Sequence, residues 1–249
     1  MISVCIATYN GSRYIKEQVD SILMQLGGRD EIVVCDDQST DDTLSILEGY
    51  GDPRIRVIRN PERLGYVRNF EKALGLARGR YIFLSDQDDI WIPGRAKKML
   101  SIFEERPHVG LVASNFDKID SQGKFIGHAL GLSQLGRSRF LQIIRILLGR
   151  APYFGCTFVL RREFLKDCLP IPPRIESHDI WMALVGNARG KIFNLVEPTL
   201  LHRIHGANVT TKKRRALGVI FRSRLVFIHA LIGRMFFLVA NKERISEDD

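Results

Sequence analysis

A chain of 249 residues with 45% hydrophobic content is globular rather than disordered, and it is long enough for one full core with appendages but not for two unrelated domains. A formal charge of +9 directs it toward polyanions: nucleic acid, anionic lipid or phosphorylated small molecules. Cys5, Cys35, Cys156 and Cys168 show no CxxC spacing, which argues against a disulfide framework and for buried, reduced thiols in a cytoplasmic setting.

The N-terminus runs straight into Ile2-Ser3-Val4-Cys5-Ile6-Ala7 with no basic region and no cleavage pattern, so no signal peptide is expected. Residues 2–8 read as a buried strand. Residues 13–26 read as a helix with Tyr14, Ile15, Val19, Ile22, Leu23 and Leu26 on one face. Residues 31–35 form the next strand, and Ser39 and Thr40 supply N-cap chemistry for a helix carrying Leu44, Leu47 and Tyr50. A short strand at 54–58 precedes an amphipathic helix at 66–78, for which Gly79 is a suitable C-terminal cap. Then follow a strand at 80–85, a helix from about Pro93 and a strand at 109–114.

Strands alternating with helices imply βαβ units and a mostly parallel sheet covered on both faces, an α/β fold. Ligands in such sheets bind beyond the carboxyl ends of the strands. Three polar sets fall there: Thr8-Tyr9-Asn10, Asp36-Asp37-Gln38-Ser39 and Asp86-Gln87-Asp88-Asp89. Each alone is an ordinary turn sequence; together they should line one crevice. The last set crowds three carboxylates behind an apolar strand, which is costly unless a basic group or a hard dication sits among the oxygens.

These segments, read as Ser3-Val4-Cys5-Ile6-Ala7-Thr8-Tyr9-Asn10-Gly11, Val34-Cys35-Asp36-Asp37-Gln38-Ser39-Thr40-Asp41 and Phe83-Leu84-Ser85-Asp86-Gln87-Asp88-Asp89, resemble the family 2 glycosyltransferases, strongly over about the first 120 residues. The resemblance implies the GT-A fold and inverting transfer from a nucleotide-diphospho-sugar. It assigns nucleotide contacts to the rim residues Thr8, Tyr9, Asn10, Asp36, Asp37 and Asp86, with Asp37 accepting from a pyrimidine imide N–H. It makes Asp86 and Asp88 a DxD motif, with Asp88 the direct ligand of Mn²⁺ or Mg²⁺. Such an ion would neutralise the charge that develops on a departing nucleoside diphosphate. In an extended segment Asp86 and Asp88 project to one side and Asp89 away from them, leaving Asp89 a structural role such as capping the next helix.

Inverting transfer needs a carboxylate to take the acceptor hydroxyl's proton. The resemblance places it at Asp179 in Ile175-Glu176-Ser177-His178-Asp179-Ile180-Trp181, where relatives have Glu-Asp and this chain has His178-Asp179; Glu176 is the second choice. Gly155 and Cys156, in a Gly-rich approach to a strand, complete the expected acceptor side with Glu176, His178 and Trp181. Phe140, Ile143, Ile144, Leu147 and Leu148 form an apolar helical stripe suited to core or partner contact. Leu201-His202-Arg203-Ile204-His205-Gly206-Ala207-Asn208 resembles the family's Arg-x-His-x-x-Asn segment. That makes His205, ahead of His202, a metal or diphosphate contact, with Arg203 nearby.

Lys212-Lys213-Arg214-Arg215 precedes a largely apolar segment broken by Arg222, Arg224 and Arg234. A central arginine costs about 2.5–3.5 kcal/mol in a span, so attachment to an anionic membrane surface is expected instead. Packing on the catalytic domain or on a second copy, as a homodimer, is the alternative. The expected organisation is a GT-A domain at 1–211, with a nucleotide-binding half at 1–115 and an acceptor-binding half at 116–211, then a basic and apolar tail at 212–249.

The function implied is metal-dependent transfer to a saccharide or lipid-linked saccharide in cell-surface polysaccharide (O-antigen or capsule) biosynthesis, at the inner face of the cell membrane. FLSDQDDIW resembles a subgroup assigned rhamnosyl transfer from a dTDP-sugar; UDP-hexose or UDP-N-acetylhexosamine transfer is the nearest alternative. A nucleotidyltransferase would want a richer phosphate loop than Thr8-Tyr9-Asn10-Gly11-Ser12-Arg13, and a non-catalytic relic would be expected to have lost Asp37, Asp88 or Asp179. No nucleic-acid partner is expected, because the basic residues lack aromatic interleaving.

Overall fold

The computed structural model describes residues 1–129, 131–132, 138–206 and 216–247, with backbone alone at 217 and 242–247. The basic cluster expected at 212–215, and Asn208, lie outside the described residues.

Short apolar runs bounded by turn residues form the strands. β1 (Ile2–Thr8), β2 (Glu31–Asp36), β3 (Ile55–Arg59) and β4 (Tyr81–Ser85) start and stop within a residue of the expected strands. β1 pairs β2 and β4, and β2 pairs β3, all in parallel. The connections are α1 (Ile15–Leu23), α2 (Thr43–Glu48) and α3 (Tyr66–Leu76).

After β4 come β5 (Ile90–Trp91), α4 (Arg95–Glu105), β6 (Leu111–Ile119), β7 (Phe125–His128) and α5 (Arg139–Leu147). The chain continues with β8 (Phe158–Arg161), α6 (Arg162–Cys168), α7 (His178–Arg189), β9 (Ile192–Arg203) and α8 (Leu217–Glu247). The sheet runs β3-β2-β1-β4-β8-β6-β9-β5, with β7 on β6. Its parallel character belongs to the first half. β8 is antiparallel to β4 and β6, and β5 to β9, while β6 and β9 stay parallel.

Strand alternation divides the core into two layers. Val4, Ile6, Ile32, Val34 and Phe83 pack with Ile15, Val19 and Ile22 of α1 and Met99 and Phe103 of α4. Cys5, Val33, Cys35, Ile82 and Leu84 face Phe70 and Leu74 of α3 and Trp181 and Leu184 of α7. All four cysteines are free and buried, as their spacing implies.

Two expected caps are corrected. α2 starts at Thr43 with Asp42 at its N-cap position, because the Ser39 hydroxyl is committed to Asp36 at 2.5 Å. α3 ends before Gly79, whose value is close approach: a Cβ there would lie 2.5 Å from the Ser3 backbone nitrogen. The gap brings Gly79 N to Ser3 Oγ (2.7 Å), which in turn donates to the buried Glu31 carboxylate at 2.7 Å. Arg78 N and Arg56 Nη1 complete that brace at 2.6 and 2.8 Å.

α8 continues unbroken for 31 residues. Phe227 is buried, and Val226, Ala230, Leu231 and Met235 pack on the core. Arg234 turns toward the body, donating to the Leu169 carbonyl at 2.8 Å and to the Pro170 carbonyl. Phe221, Leu225, Ile232, Phe236 and Phe237 are exposed. Residues 218–241 are long and apolar enough, by length and composition, to cross a membrane, and most of their side chains are not buried.

Candidate active site

The three polar sets meet at the ends of β1, β2 and β4. Thr8 Oγ1 donates to Asp36 Oδ1 at 3.0 Å, and Ser39 N to Asp36 Oδ2 at 2.9 Å. Asn10 N donates to Ser39 Oγ at 2.9 Å, and Asn10 Oδ1 accepts from Thr40 N at 2.8 Å. Asn10 and Gln38 hold φ of 49° and 66°, the left-handed region that asparagine tolerates better than most residues. The third set is fastened by Gln87, whose Oε1 accepts from Tyr9 N at 2.9 Å and whose Nε2 donates to Tyr9 O at 3.1 Å.

This wiring separates the expected nucleotide contacts. Asp36 and Thr8 are 0% and 1% exposed, and their side chains bind each other, so they shape the rim rather than face a ligand. Asp37 is also buried. Its Oδ1 accepts from Leu64 N (2.7 Å) and Asn60 Nδ2 (3.0 Å), and its Oδ2 from Gly65 N (3.0 Å). A carboxylate offers about four acceptor positions, so Oδ2 retains one. Tyr9 and Asn10 are exposed, with the Arg63 guanidinium 3.6 Å from the Tyr9 ring centre.

The acidic segment is a turn, not an extended strand, so its carboxylates diverge differently from the alternation expected. Asp88 Oδ2 lies 2.7 Å from His205 Nε2. Asp89 does not cap α4: its Oδ1 faces His202 Nδ1 at 2.9 Å and accepts from Arg203 N at 3.1 Å. Asp86, held through its carbonyl by Gln18 Nε2 at 3.0 Å, joins Asp89, Cys156 and His202 in a cluster whose ligand atoms lie within 4.8 Å of one another. Burial, then the charges of Asp89 and Asp88, push the Asp86 carboxyl up to about 8. Burial and Asp89 likewise raise Asp88, against the pull of His205. Burial opposes a charged His202, but Asp89 outweighs it and carries the ring to about 9.

The residues fit a hard dication. Asp89 Oδ2 is buried without a hydrogen-bond partner, a costly state that a cation would relieve. Burial raises the Cys156 thiol well above its ordinary value, so it stands as a neutral neighbour and the donors are carboxylate oxygens and imidazoles. Oxygen-rich sets of this kind suit Mg²⁺ or Mn²⁺.

Cys156 leads to the residues expected on the acceptor side. Next to it, Gly155 leaves room for the His178 ring, since a Cβ would sit 2.6 Å from His178 Nε2. His178 opens α7 with its ring 4.3 Å from Phe70, centre to centre. Both its nitrogens are buried and unpartnered. Asp179 follows, its Oδ1 accepting from Ser177 Oγ and from Ile180 N at 2.7 Å. Glu176 accepts from Ser223 Oγ of α8 at 2.6 Å. Trp181 is removed from the acceptor set: it is fully buried, with Nε1 bonded to the Cys168 carbonyl at 2.8 Å.

Two supporting residues, Gln87 and Arg95, escaped the sequence reading, and a third, Arg203, entered it only as a neighbour of His205. Gln87 looked like a spacer between aspartates. Arg203 is 2% exposed and donates to the Asp88 carbonyl at 2.9 Å and to Glu17 at 2.5 Å, so it braces the acidic turn. Arg95 is buried beneath the site, bonded to the Cys156 carbonyl at 2.7 Å and to Thr199 Oγ1. Only a positive charge in an otherwise amphipathic helix hinted at it.

Comparison with known proteins agrees with this geometry. An uncharacterized glycosyltransferase of Nostoc is 32% identical over 218 residues, 83% of this chain and 66% of the relative. An uncharacterized Haemophilus influenzae glycosyltransferase is 28% identical over 215 residues and is likewise covered to 66%, so the chain spans about two thirds of the length of these relatives. The Escherichia coli UDP-Glc:alpha-D-GlcNAc-diphosphoundecaprenol beta-1,3-glucosyltransferase WfaP is 29% identical over 97% of this chain and 93% of its own. Among solved structures, Staphylococcus aureus TarS 1-349 in complex with UDP-GlcNAc superposes with a TM-score of 0.70 at 20% identity, over 91% of this chain and 66% of that one; the shared fold is that of the GT-A glycosyltransferases. The sequence model of Glycosyl transferase family 2 matches residues 3–169, from the first strand through the acidic turn to the end of α6, and the chain belongs to that family.

Proposed function

We propose that the protein is a metal-dependent, inverting glycosyltransferase that moves a sugar from a nucleoside diphosphate onto a lipid-linked saccharide in polysaccharide biosynthesis. The observation that carries this reading is the closure of the acidic turn by two histidines from the end of β9 and beyond, His202 on Asp89 and His205 on Asp88. It gathers carboxylates and imidazoles from distant parts of the chain at the ends of the parallel strands, where α/β sheets bind ligands.

Asp88, Asp86 and His205 would hold Mn²⁺ or Mg²⁺, with Asp89 and His202 beside them; such an ion supplies Lewis-acid neutralisation of the diphosphate leaving group. The chain's own residues do the rest. The Gln87–Tyr9 amide pair fixes the acidic turn against the first rim loop. Tyr9, Asn10 and Asp37 are the nucleotide side, with Tyr9 offering a ring face to the base once Arg63 moves off it. Asp179, at the start of α7, takes the acceptor hydroxyl's proton as that oxygen attacks the anomeric carbon from the face opposite the diphosphate. The Asp179 Oδ1 atom is held by Ser177 and Ile180 N, which orients Oδ2 for that task.

For the donor, a UDP-sugar now ranks ahead of dTDP-rhamnose. WfaP and WfgD of Escherichia coli carry UDP-Glc in their names, and TarS was solved with UDP-GlcNAc and with UDP. Their names also give a diphosphoundecaprenol-linked acceptor, which matches the exposed apolar residues of α8 as a membrane-facing element. The test is thermal stabilisation by UDP-Glc, UDP-GlcNAc, UDP-Gal and dTDP-rhamnose with Mn²⁺ or with chelator, because ligand binding raises the folded population. Metal-dependent stabilisation by a UDP-sugar supports the reading. No stabilisation by any of the four, or stabilisation indifferent to chelator, removes it.

A further inference from the structure

Away from the acidic turn, α8 does not lie flat on the catalytic body. Between its first turns and the loop that leads into α7 is a groove of about 410 Å³, walled by Pro172, Pro173, Leu225 and Ala230, with Arg174 and Arg222 at its edges. That volume lies in the range of small-molecule sites, roughly 300–1,000 Å³. Its walls are apolar, and among the described residues that line it none is acidic; His229 adds a third nitrogen base. Arg174 and Arg222 are exposed, and neither forms an ion pair among the described residues. The groove therefore combines an apolar lining with two guanidiniums that form no ion pair among the described residues.

Its position gives it a purpose. Arg174 stands just before Ile175-Glu176-Ser177-His178-Asp179, and Ser223, beside Arg222, donates to Glu176 Oε1 at 2.6 Å. One wall of the groove is thus the strand of chain that ends at the proposed base. The other wall is the helix on which Phe221, Ile232 and Phe236 are exposed. A ligand lying here would have its apolar portion against α8 and its anionic end toward Asp179.

We propose that this groove holds the isoprenoid diphosphate of a lipid-linked acceptor: the first isoprene units lie against Pro172, Leu225 and Ala230, and the diphosphate pairs with Arg174 and Arg222. Two guanidiniums suit a diphosphate because each offers a planar fork of donors. The inference rests on the glycosyltransferase reading for its purpose but not for its test.

Farnesyl diphosphate serves as the probe, with farnesol and inorganic diphosphate as controls, in calorimetric titrations of the full chain. Saturable one-to-one binding of farnesyl diphosphate is expected, at least tenfold tighter than either control. The Arg174→Ala/Arg222→Ala double variant should lose tenfold or more of that affinity, as should Ala230→Phe, which fills the floor without touching charge. Both variants should keep the Mn²⁺-dependent affinity for UDP within twofold, which also shows that they fold. Farnesyl diphosphate binding that is unsaturable, equal to that of farnesol, or unchanged in both variants overturns the groove assignment while leaving the donor site standing. Loss of UDP binding by the wild-type chain would instead strike the glycosyltransferase reading and leave the groove measurement intact.

Discussion

His205 Nε2 and Asp88 Oδ2 lie 2.7 Å apart although 117 residues separate them in the chain. The contact crosses from the turn after β4 to the loop after β9, so distant parts of the chain close on the acidic turn. Asp88→Ala should abolish the effect of Mn²⁺ on UDP affinity, and His205→Ala should weaken Mn²⁺ binding at least tenfold, the order found when groups around a metal are removed. Calorimetry with and without chelator checks both; an undiminished metal effect in Asp88→Ala would reassign the ligand set.

Gln87 stands between Asp86 and Asp88, and its amide makes two bonds to the backbone of Tyr9. Gln87→Glu keeps the shape but turns the donor facing Tyr9 O into a second acceptor. A net stability loss of about 1–2 kcal/mol is expected, together with a several-fold rise in donor KM and little change in kcat. Equal donor KM in this variant would show that the rim does not depend on the pair.

His178 should govern part of the acid stability. Burial lowers its pKa, more than the neighbouring Asp179 charge raises it, and both ring nitrogens lack partners. The unfolded chain binds a proton at this residue below about pH 6.5, whereas the folded chain does not until a lower pH, so stability falls as pH drops through that window. His178→Leu should remove this component and raise stability at pH 7 by roughly 1–2 kcal/mol, since two unpaired polar atoms leave the interior. Denaturant unfolding at pH 7.5 and 5.5 provides the comparison; an identical pH dependence in both proteins would refute the assignment.

Glu31 behaves in the expected carboxylate sense. Burial alone would raise its pKa, but hydrogen bonds from Ser3, Arg56 and Arg78 N more than compensate and hold it below the ordinary value. Its contribution is therefore complete above the unfolded carboxyl's pKa, about 4.3, and is lost as pH falls through the lower folded value. Glu31→Gln should cost about 2 kcal/mol at pH 7 and progressively less toward pH 3. A loss that stays constant over that range would mean that charge is not the source.

The parts of this molecule legible from sequence are those set by local pattern. The first four strands and the three polar turns follow from apolar runs ended by Asx and Ser residues. What stayed hidden depends on long-range contact. Nothing near Asp89 in the chain announces that its partners are His202 and Arg203, and the alternation of an extended strand misplaced it because residues 86–89 form a turn. Trp181, expected on the acceptor side, is instead fully buried with its Nε1 on the Cys168 carbonyl, as its place on the apolar face of α7 dictates. α8 was read as apolar with misplaced arginines. The fold gives Arg234 a reason, since it satisfies the carbonyls of the Leu169-Pro170 segment, while Phe227 is buried in the core and Phe221 and Phe236 are exposed.

Asp179 is the residue on which transfer itself should turn. Its Oδ1 atom accepts from the Ser177 hydroxyl and from Ile180 N, while Oδ2 has no partner among the described residues and is the atom available to a proton. The carboxylate sits in the first turn of α7, where the helix amides favour negative charge. Asp179→Asn preserves size and can keep the Oδ1 contacts, yet an amide cannot take the hydroxyl proton. Removing a general base typically costs 10²–10⁴ in rate; kcat should fall within that range while Mn²⁺-dependent UDP affinity stays within twofold. Ser177→Ala, which frees the carboxylate without removing it, should lower kcat by a smaller factor. Full turnover by Asp179→Asn would move the base elsewhere, and Glu176, tethered to α8 through Ser223, would be the next carboxylate to replace.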